Sequence, residues 1–151
     1  MFGFFSKLLG RNRETLPVCS AVVPAAGTSS RMGGENKLLA TIGGAPVLGR
    51  TVEALSQSDR ISEIVVAVRE EDLLAVADIC RAYVAGKPVK VVRGGETRLE
   101  SVMAALAECD EQAELIAIHD GARPLVTVDI IDAAIQRASE TYAAAPAVAV
   151  K

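Results

Sequence analysis

The sequence predicts an α/β fold, a mainly parallel sheet with helices on both faces. Short apolar runs of Val, Ile and Leu recur along the chain and alternate with stretches of helical periodicity. Half of the residues are hydrophobic (50%) while only 3% are aromatic, so the core is aliphatic, as buried parallel strands require. Polar, glycine-bearing loops follow the first, third and fourth apolar runs. In open α/β sheets, ligands bind outside the carboxyl ends of the strands, so loops remote in sequence can meet at one place.

The elements follow in order. The first strand spans 18–23, and Pro24 ends it because proline has no N–H to give the ladder. Residues 42–46, IGGAP, form a turn with Pro46 placed to start a helix. That helix runs over 47–56, with Leu48, Val52 and Leu55 on one face. A buried strand covers 64–68. An amphipathic helix covers 70–84, with Gly86 just beyond as its stop. The third strand is 89–92 and the next helix 99–107. The fourth strand, 115–118, runs directly into the sequence HDGARP. Thr127 caps a helix over 128–141 that turns Ile131, Ala134, Ile135 and Ala138 inward. A fifth strand is expected at 147–150.

The formal net charge of −3 gives no global basic field, which argues against a nucleic acid partner. No apolar run approaches the roughly 20 residues of a membrane span. Cys19, Cys80 and Cys109 show neither metal nor redox spacing and read as reduced core residues of a cytoplasmic protein. Residues 1–16 differ from the rest: Phe2, Phe4, Phe5, Leu8 and Leu9 alternate with Lys7, Arg11 and Arg13. They are expected to form a flexible extension ahead of a domain spanning 17–151. The competing reading is a short basic helix that touches a membrane surface.

Residues 21–37, AVVPAAGTSSRMGGENK, carry the strongest local signal. Ala25, Ala26 and Gly27 leave the backbone almost bare, so N–H groups can approach phosphate oxygens. Arg31 and Lys37 add two cations, which suits a polyphosphate; the plain alternative is a strand-to-loop connection with solvated charges. The second loop offers Gly95, suited to a base or ribose, with Glu96, Arg98 and Ser101 near it. Glu96 and Arg98 also fit a solvated loop pair, and Ser101 a hydroxyl bonding locally at a helix start. The third loop places Asp120 after a buried strand, where a carboxylate is a natural magnesium ligand. Its competitor is a surface salt bridge from Asp120 to Arg123. His119 reads as a structural histidine. Magnesium and two cations around a triphosphate describe phosphoryl or nucleotidyl transfer by positioning and charge stabilisation.

With these loops in view, the chain resembles the 2-C-methyl-D-erythritol 4-phosphate cytidylyltransferases of non-mevalonate isoprenoid biosynthesis. The matching motifs are VVPAAGTSSRM, the Asn36-Lys37 pair, VVRGGETRLESV and HDGARP, over about residues 20–151. The resemblance implies a Rossmann-like nucleotidyltransferase fold, a homodimer, and magnesium-dependent transfer of CMP from CTP to methylerythritol phosphate with release of pyrophosphate. It implies that Arg31 and Lys37 hold the triphosphate and stabilise charge on the α-phosphate. Ala25, Ala26, Gly27, Gly95, Glu96 and Ser101 would then contact cytosine or ribose, Ala122 and Arg123 would sit beside the nucleotide, and Asp120 would hold the metal.

Two departures stand out. Ser29 occupies a position where many members have glycine, and the family's chains continue well past residue 151. The domain is therefore expected to be incomplete at its C-terminus. The rival readings are ribitol-5-phosphate cytidylyltransferase, a sugar-phosphate or molybdopterin nucleotidyltransferase, and a module that binds CTP without turnover. Ala25-Ala26-Gly27 and Gly121-Ala122 favour the methylerythritol enzyme over the ribitol one.

Overall fold

The computed structural model describes residues 17–27 and 36–149. The expectations for residues 1–16, for Arg31 and for residues 150–151 lie outside them. The chain forms β1 (Cys19–Pro24), β2 (Thr41–Ile42), β3 (Ala45–Pro46), α1 (Val47–Gln57), β4 (Ile61–Val68), α2 (Leu73–Tyr83), β5 (Val89–Arg93), α3 (Arg98–Leu106), β6 (Leu115–Ile118) and α4 (Val128–Thr141). A four-stranded sheet runs in the order β5-β4-β1-β6, and every pairing in it is parallel.

Alternation along the strands builds two cores. Ala21 and Val23 of β1, with Ile64, Val66 and Val68 of β4, face α1, α2 and α4 through Leu48, Val52, Leu55, Val76, Cys80, Ile131 and Ile135. Val22, Val65 and Ala67 point the other way and meet Val102 and Ala105 of α3. Both faces of the inner strands are thus apolar and covered, which explains why the runs read as continuous rather than alternating. The sheet with helices on both faces is the expected one. Cutting Leu48 or Leu55 to alanine would leave a cavity costing about 2–5 kcal/mol.

Several details differ from the expectation. The turn at 42–46 is a small antiparallel hairpin in which Thr41 pairs with Pro46 and Ile42 with Ala45, and Gly43 and Gly44 supply the positive φ values of its two-residue loop. The helix expected over 70–84 opens as a 3₁₀ turn, Glu70–Asp72, before α2 begins. Cys109 is only half-buried, whereas Cys19 and Cys80 are buried, and all three thiols are free. The fifth strand does not form over residues 147–149, which are exposed and outside any ladder. Val148 is 92% exposed, and without burial or a paired neighbour an Ala- and Val-rich run gains little from extended structure.

β4 starts three residues earlier than the apolar run, because Glu63 is buried among partners. Its Oε1 accepts hydrogen bonds from Ser20 Oγ (2.6 Å) and from the backbone N–H of Asp110 (2.5 Å), and Lys90 Nζ lies 3.3 Å from Oε2. Burial alone would raise this carboxyl; the Ser20 hydroxyl, the Asp110 N–H and Lys90 outweigh it and hold it below the ordinary value of 4.5. A lowered folded value means that the stabilisation is present above pH 4.5 and is lost as pH falls through the folded value. Glu63→Gln should therefore destabilise the fold by about 1–3 kcal/mol at pH 7. Urea unfolding at pH 7 and again at acid pH checks this: the gap between variant and parent should narrow in acid, and an equal gap at both would contradict it.

Candidate nucleotide site

The sheet order fixes where a ligand can enter. From β1 the chain steps to β4 and β5 on one side, then returns to place β6 on the other side of β1. The reversal leaves a crevice between the loops that follow β1 and β6. Backbone hydrogen bonds carry the ladders past the strands and hold these loops in place. Ala25 N–H donates to Ala67 O at 2.7 Å, Gly94 N–H to Val68 O at 2.7 Å, and His119 N–H to Val22 O at 2.9 Å. Thr51 of α1 donates its buried hydroxyl to Gly121 O at 3.0 Å and ties the third loop down.

The loops line a single open cleft of about 490 Å³. Ala25, Ala26 and Gly27 form one wall, Gly95, Glu96, Arg98 and Ser101 a second, and Asp120, Ala122 and Arg123 a third, with Lys37 at the side. Every candidate residue named from the sequence and lying among the described residues is in this group; Arg31 lies outside them. The volume falls within the range of small-molecule sites, roughly 300–1,000 Å³. Three cationic side chains, Lys37, Arg98 and Arg123, and two carboxylates, Glu96 and Asp120, face the space.

The ion pairs depart from the expected ones. Arg98 does not pair with Glu96; its Nε and Nη2 donate to Asp120 Oδ1 at 3.2 and 3.0 Å. Arg123 Nε donates to Asp120 Oδ2 at 3.0 Å, so the salt bridge weighed against the metal is present, and it is one of two. Burial raises the Asp120 carboxyl, but the hydrogen bonds and charges of Arg98 and Arg123 more than offset this and keep it below its ordinary range. Asp120 thereby bridges the second and third loops. His119 Nε2 lies 3.1 Å from Arg123 O, a local contact that suits a structural histidine.

Thr97 also lines the cleft, and it was missed from the sequence although its signal was present. Thr97-Arg98-Leu99-Glu100 has the spacing of a capping box. Thr97 Oγ1 accepts from Glu100 N–H at 3.1 Å, and Glu100 Oε2 accepts from Thr97 N–H at 2.9 Å. The helix therefore starts at Arg98, and its N-terminal end lies at the cleft, where backbone N–H groups favour an anion. Ser101 does bond locally, donating to Thr97 O at 3.0 Å and accepting from Gly95 N–H at 3.2 Å.

Close packing gives the glycines a second role. A Cβ on Gly95 would lie 2.2 Å from Glu100 Cβ, and one on Gly94 would lie 2.8 Å from Ala26 Cβ and 2.8 Å from Ser101 Oγ. The second loop thus depends on bare backbone to seat itself on α3 and on the first loop, besides any approach by a ligand. Gly95→Ala should cost about 1–3 kcal/mol through overpacking. Denaturant titration checks it, and an unchanged midpoint would show that the loop is looser than this packing requires.

The cleft at the switch point places the domain among the open parallel α/β folds that bind ligands there, and its likeness to solved structures makes it a Rossmann-like nucleotidyltransferase fold. Its likeness to the solved structure of 4-diphosphocytidyl-2C-methyl-D-erythritol synthase from Anaerococcus prevotii has a TM-score of 0.70 at 30% identity, over 80% of this chain and 50% of that one. The family model for IspD, 2-C-methyl-D-erythritol 4-phosphate cytidylyltransferase, matches residues 19–151, and the chain belongs to this family. Among curated relatives with that name, the Halalkalibacterium halodurans protein is 38% identical over 133 residues, covering 87% of this chain and 58% of its own length. The Caldanaerobacter subterraneus protein is 42% identical over 134 residues, covering 87% and 59%. The chain thus spans a little over half the length of these relatives.

Proposed function

We propose that this chain supplies the nucleotide half of a cytidylyltransferase that moves CMP from CTP to 2-C-methyl-D-erythritol 4-phosphate and releases pyrophosphate. The observation that carries the reading is the convergence of three loops, from β1, β5 and β6, on one cleft in a chain of this family. An oxygen of the acceptor phosphate attacks the α-phosphorus of CTP, the bond from that phosphorus to the bridging oxygen of the β-phosphate breaks, and pyrophosphate leaves. Backbone N–H groups of the first loop and the start of α3 receive phosphate oxygens, and Lys37 and Arg31 stabilise the charge that builds on the α-phosphate. The small side chains of Ala25, Ala26 and Gly27, together with Gly95, leave room for cytosine and ribose.

Magnesium fits the donor set. Asp120 stays ionised, and although both Arg98 nitrogens donate to its Oδ1, the single bond from Arg123 leaves a lone pair on Oδ2 for the ion. Magnesium takes one or two carboxylates and finds its other ligands on phosphates and water. Asp120 is the residue that would hold it, and the ion would neutralise phosphate charge. Among the described residues no helix is long and apolar enough to cross a membrane. Three free thiols support a cytoplasmic protein, and the family supports a homodimer.

Calorimetric titration tests the nucleotide. Magnesium–CTP should bind more tightly than magnesium–ATP or magnesium–GTP, and equal or tighter purine binding would remove the reading. In Asp120→Asn, magnesium should no longer tighten CTP binding; if it tightens binding as much as in the parent, Asp120 is only an ion-pair partner. In a chain of the relatives' full length, Lys37→Ala and Arg31→Ala should lower the rate of pyrophosphate release by roughly 10²–10³ and weaken CTP binding less, as loss of a donor aimed at developing charge does. A variant that changed only the Michaelis constant for CTP would mark its residue as a binding group.

A further inference from the structure

Asp72 lies beyond the cleft lining and is bound into the segment that carries Lys37. It ends the 3₁₀ turn before α2, and its side chain is only 9% exposed. A carboxylate so buried must be paired, and its side-chain partners come from the end of β4 and from the segment just before Lys37. Arg69, the residue after β4, reaches Asp72 Oδ2 through Nε at 2.9 Å and through Nη2 at 2.8 Å. Asn36 Nδ2 donates to the same oxygen at 2.9 Å. Asn36 then uses Oδ1 to accept the backbone N–H of Leu38 at 3.1 Å, while Asn36 O accepts from Leu39 N–H at 3.0 Å. On the far side of Lys37, Leu38 is buried in the larger core, and its carbonyl accepts from Leu48 N–H at 3.0 Å. The backbone of Lys37 is held between these anchors.

We propose that Asp72 is a positioning residue: with Arg69 behind it and Asn36 in front, it fixes the backbone from which Lys37 enters the cleft. The proposal rests on the nucleotide reading, which gives Lys37 its role. A charge-assisted bond from a buried carboxylate suits this task, because it is short, directional and costly to leave unmade. It also ties the cleft to the end of β4, the one inner strand whose following loop does not line it.

The test follows the parent, Asp72→Asn, Asn36→Ala, Lys37→Ala and the Asn36→Ala/Lys37→Ala double variant. Asn36→Ala cuts the same link from its less buried side, so it tests the anchor even if Asp72→Asn folds poorly. Backbone hydrogen exchange should quicken at Leu39, whose acceptor is the Asn36 backbone, by about tenfold or more in both Asp72→Asn and Asn36→Ala, the scale for loss of a charge-assisted hydrogen bond, with exchange in β1 and β4 unchanged. Magnesium–CTP affinity should fall in Asn36→Ala and in Lys37→Ala, and the double variant should bind no more weakly than Lys37→Ala alone. Unchanged exchange at Leu39, or effects on affinity that add in full, would overturn the anchor while leaving the nucleotide reading intact. If Lys37→Ala both bound magnesium–CTP and released pyrophosphate like the parent, the nucleotide role of Lys37 would fail, and this inference with it.

Discussion

The cleft depends on hydrogen bonds that continue the parallel ladder beyond the ends of its strands. A residue leaving a buried strand has a backbone N–H that must be satisfied, and the nearest acceptor is a carbonyl of the adjacent strand. Ala25, Gly94 and His119 each make such a bond, to Ala67, Val68 and Val22 respectively. The loops that follow therefore begin from fixed positions at one end of the sheet. Small side chains then let them approach one another: Ala26 meets Gly94, and Ala25 meets Gly121, where an added Cβ would stand 3.2 Å from Ala25 Cβ. Bare backbone in these loops serves loop-to-loop packing as much as it serves a ligand.

Electrostatics completes the arrangement. Asp120 pairs with one guanidinium from α3 and one from its own loop, so the second and third loops share a charge network at the mouth of the cleft. Both arginines are largely exposed, and pairs of that kind add little to stability. Their consequence lies in placement: cations and an ionised carboxylate stand where a polyphosphate and its metal would meet. A buried charge carries more of the stability at the other end of the sheet, where Glu63 joins β1, β4, β5 and the segment before β6 through Ser20, Lys90 and Asp110.

Much of this was legible in the sequence where local rules and burial agree. The run Leu115–Ile118 is β6 at both ends, and Thr127 caps α4, which spans Val128–Thr141, through its bond from Ile130 N–H. Cleft residues 25–27, 95, 96, 98 and 120–123 were legible because strand ends announce themselves by proline, glycine and charge. Tertiary partners hid the rest. Glu63 looks like a surface residue until Ser20, Asp110 and Lys90 surround it, and although Arg69 lies at i−3 of Asp72, nothing local indicates that Asn36, 36 residues away, will reach the same oxygen. Residues 147–149 carry strand-like composition without a ladder to join, and propensity alone does not make a strand.

The central claim is that three loops from the carboxyl ends of β1, β5 and β6 form one nucleotide site. Titrating magnesium–CTP into the isotopically labelled chain and following backbone amide resonances tests it most directly. The account predicts that the largest shifts fall together on Ala25, Ala26 and Gly27, on Gly95 and Ser101, and on Gly121 and Ala122, with one common dissociation constant. Shifts confined to the opposite end of the sheet around Ser20 and Glu63, to the groove between β6 and α4, or to a single loop would contradict it.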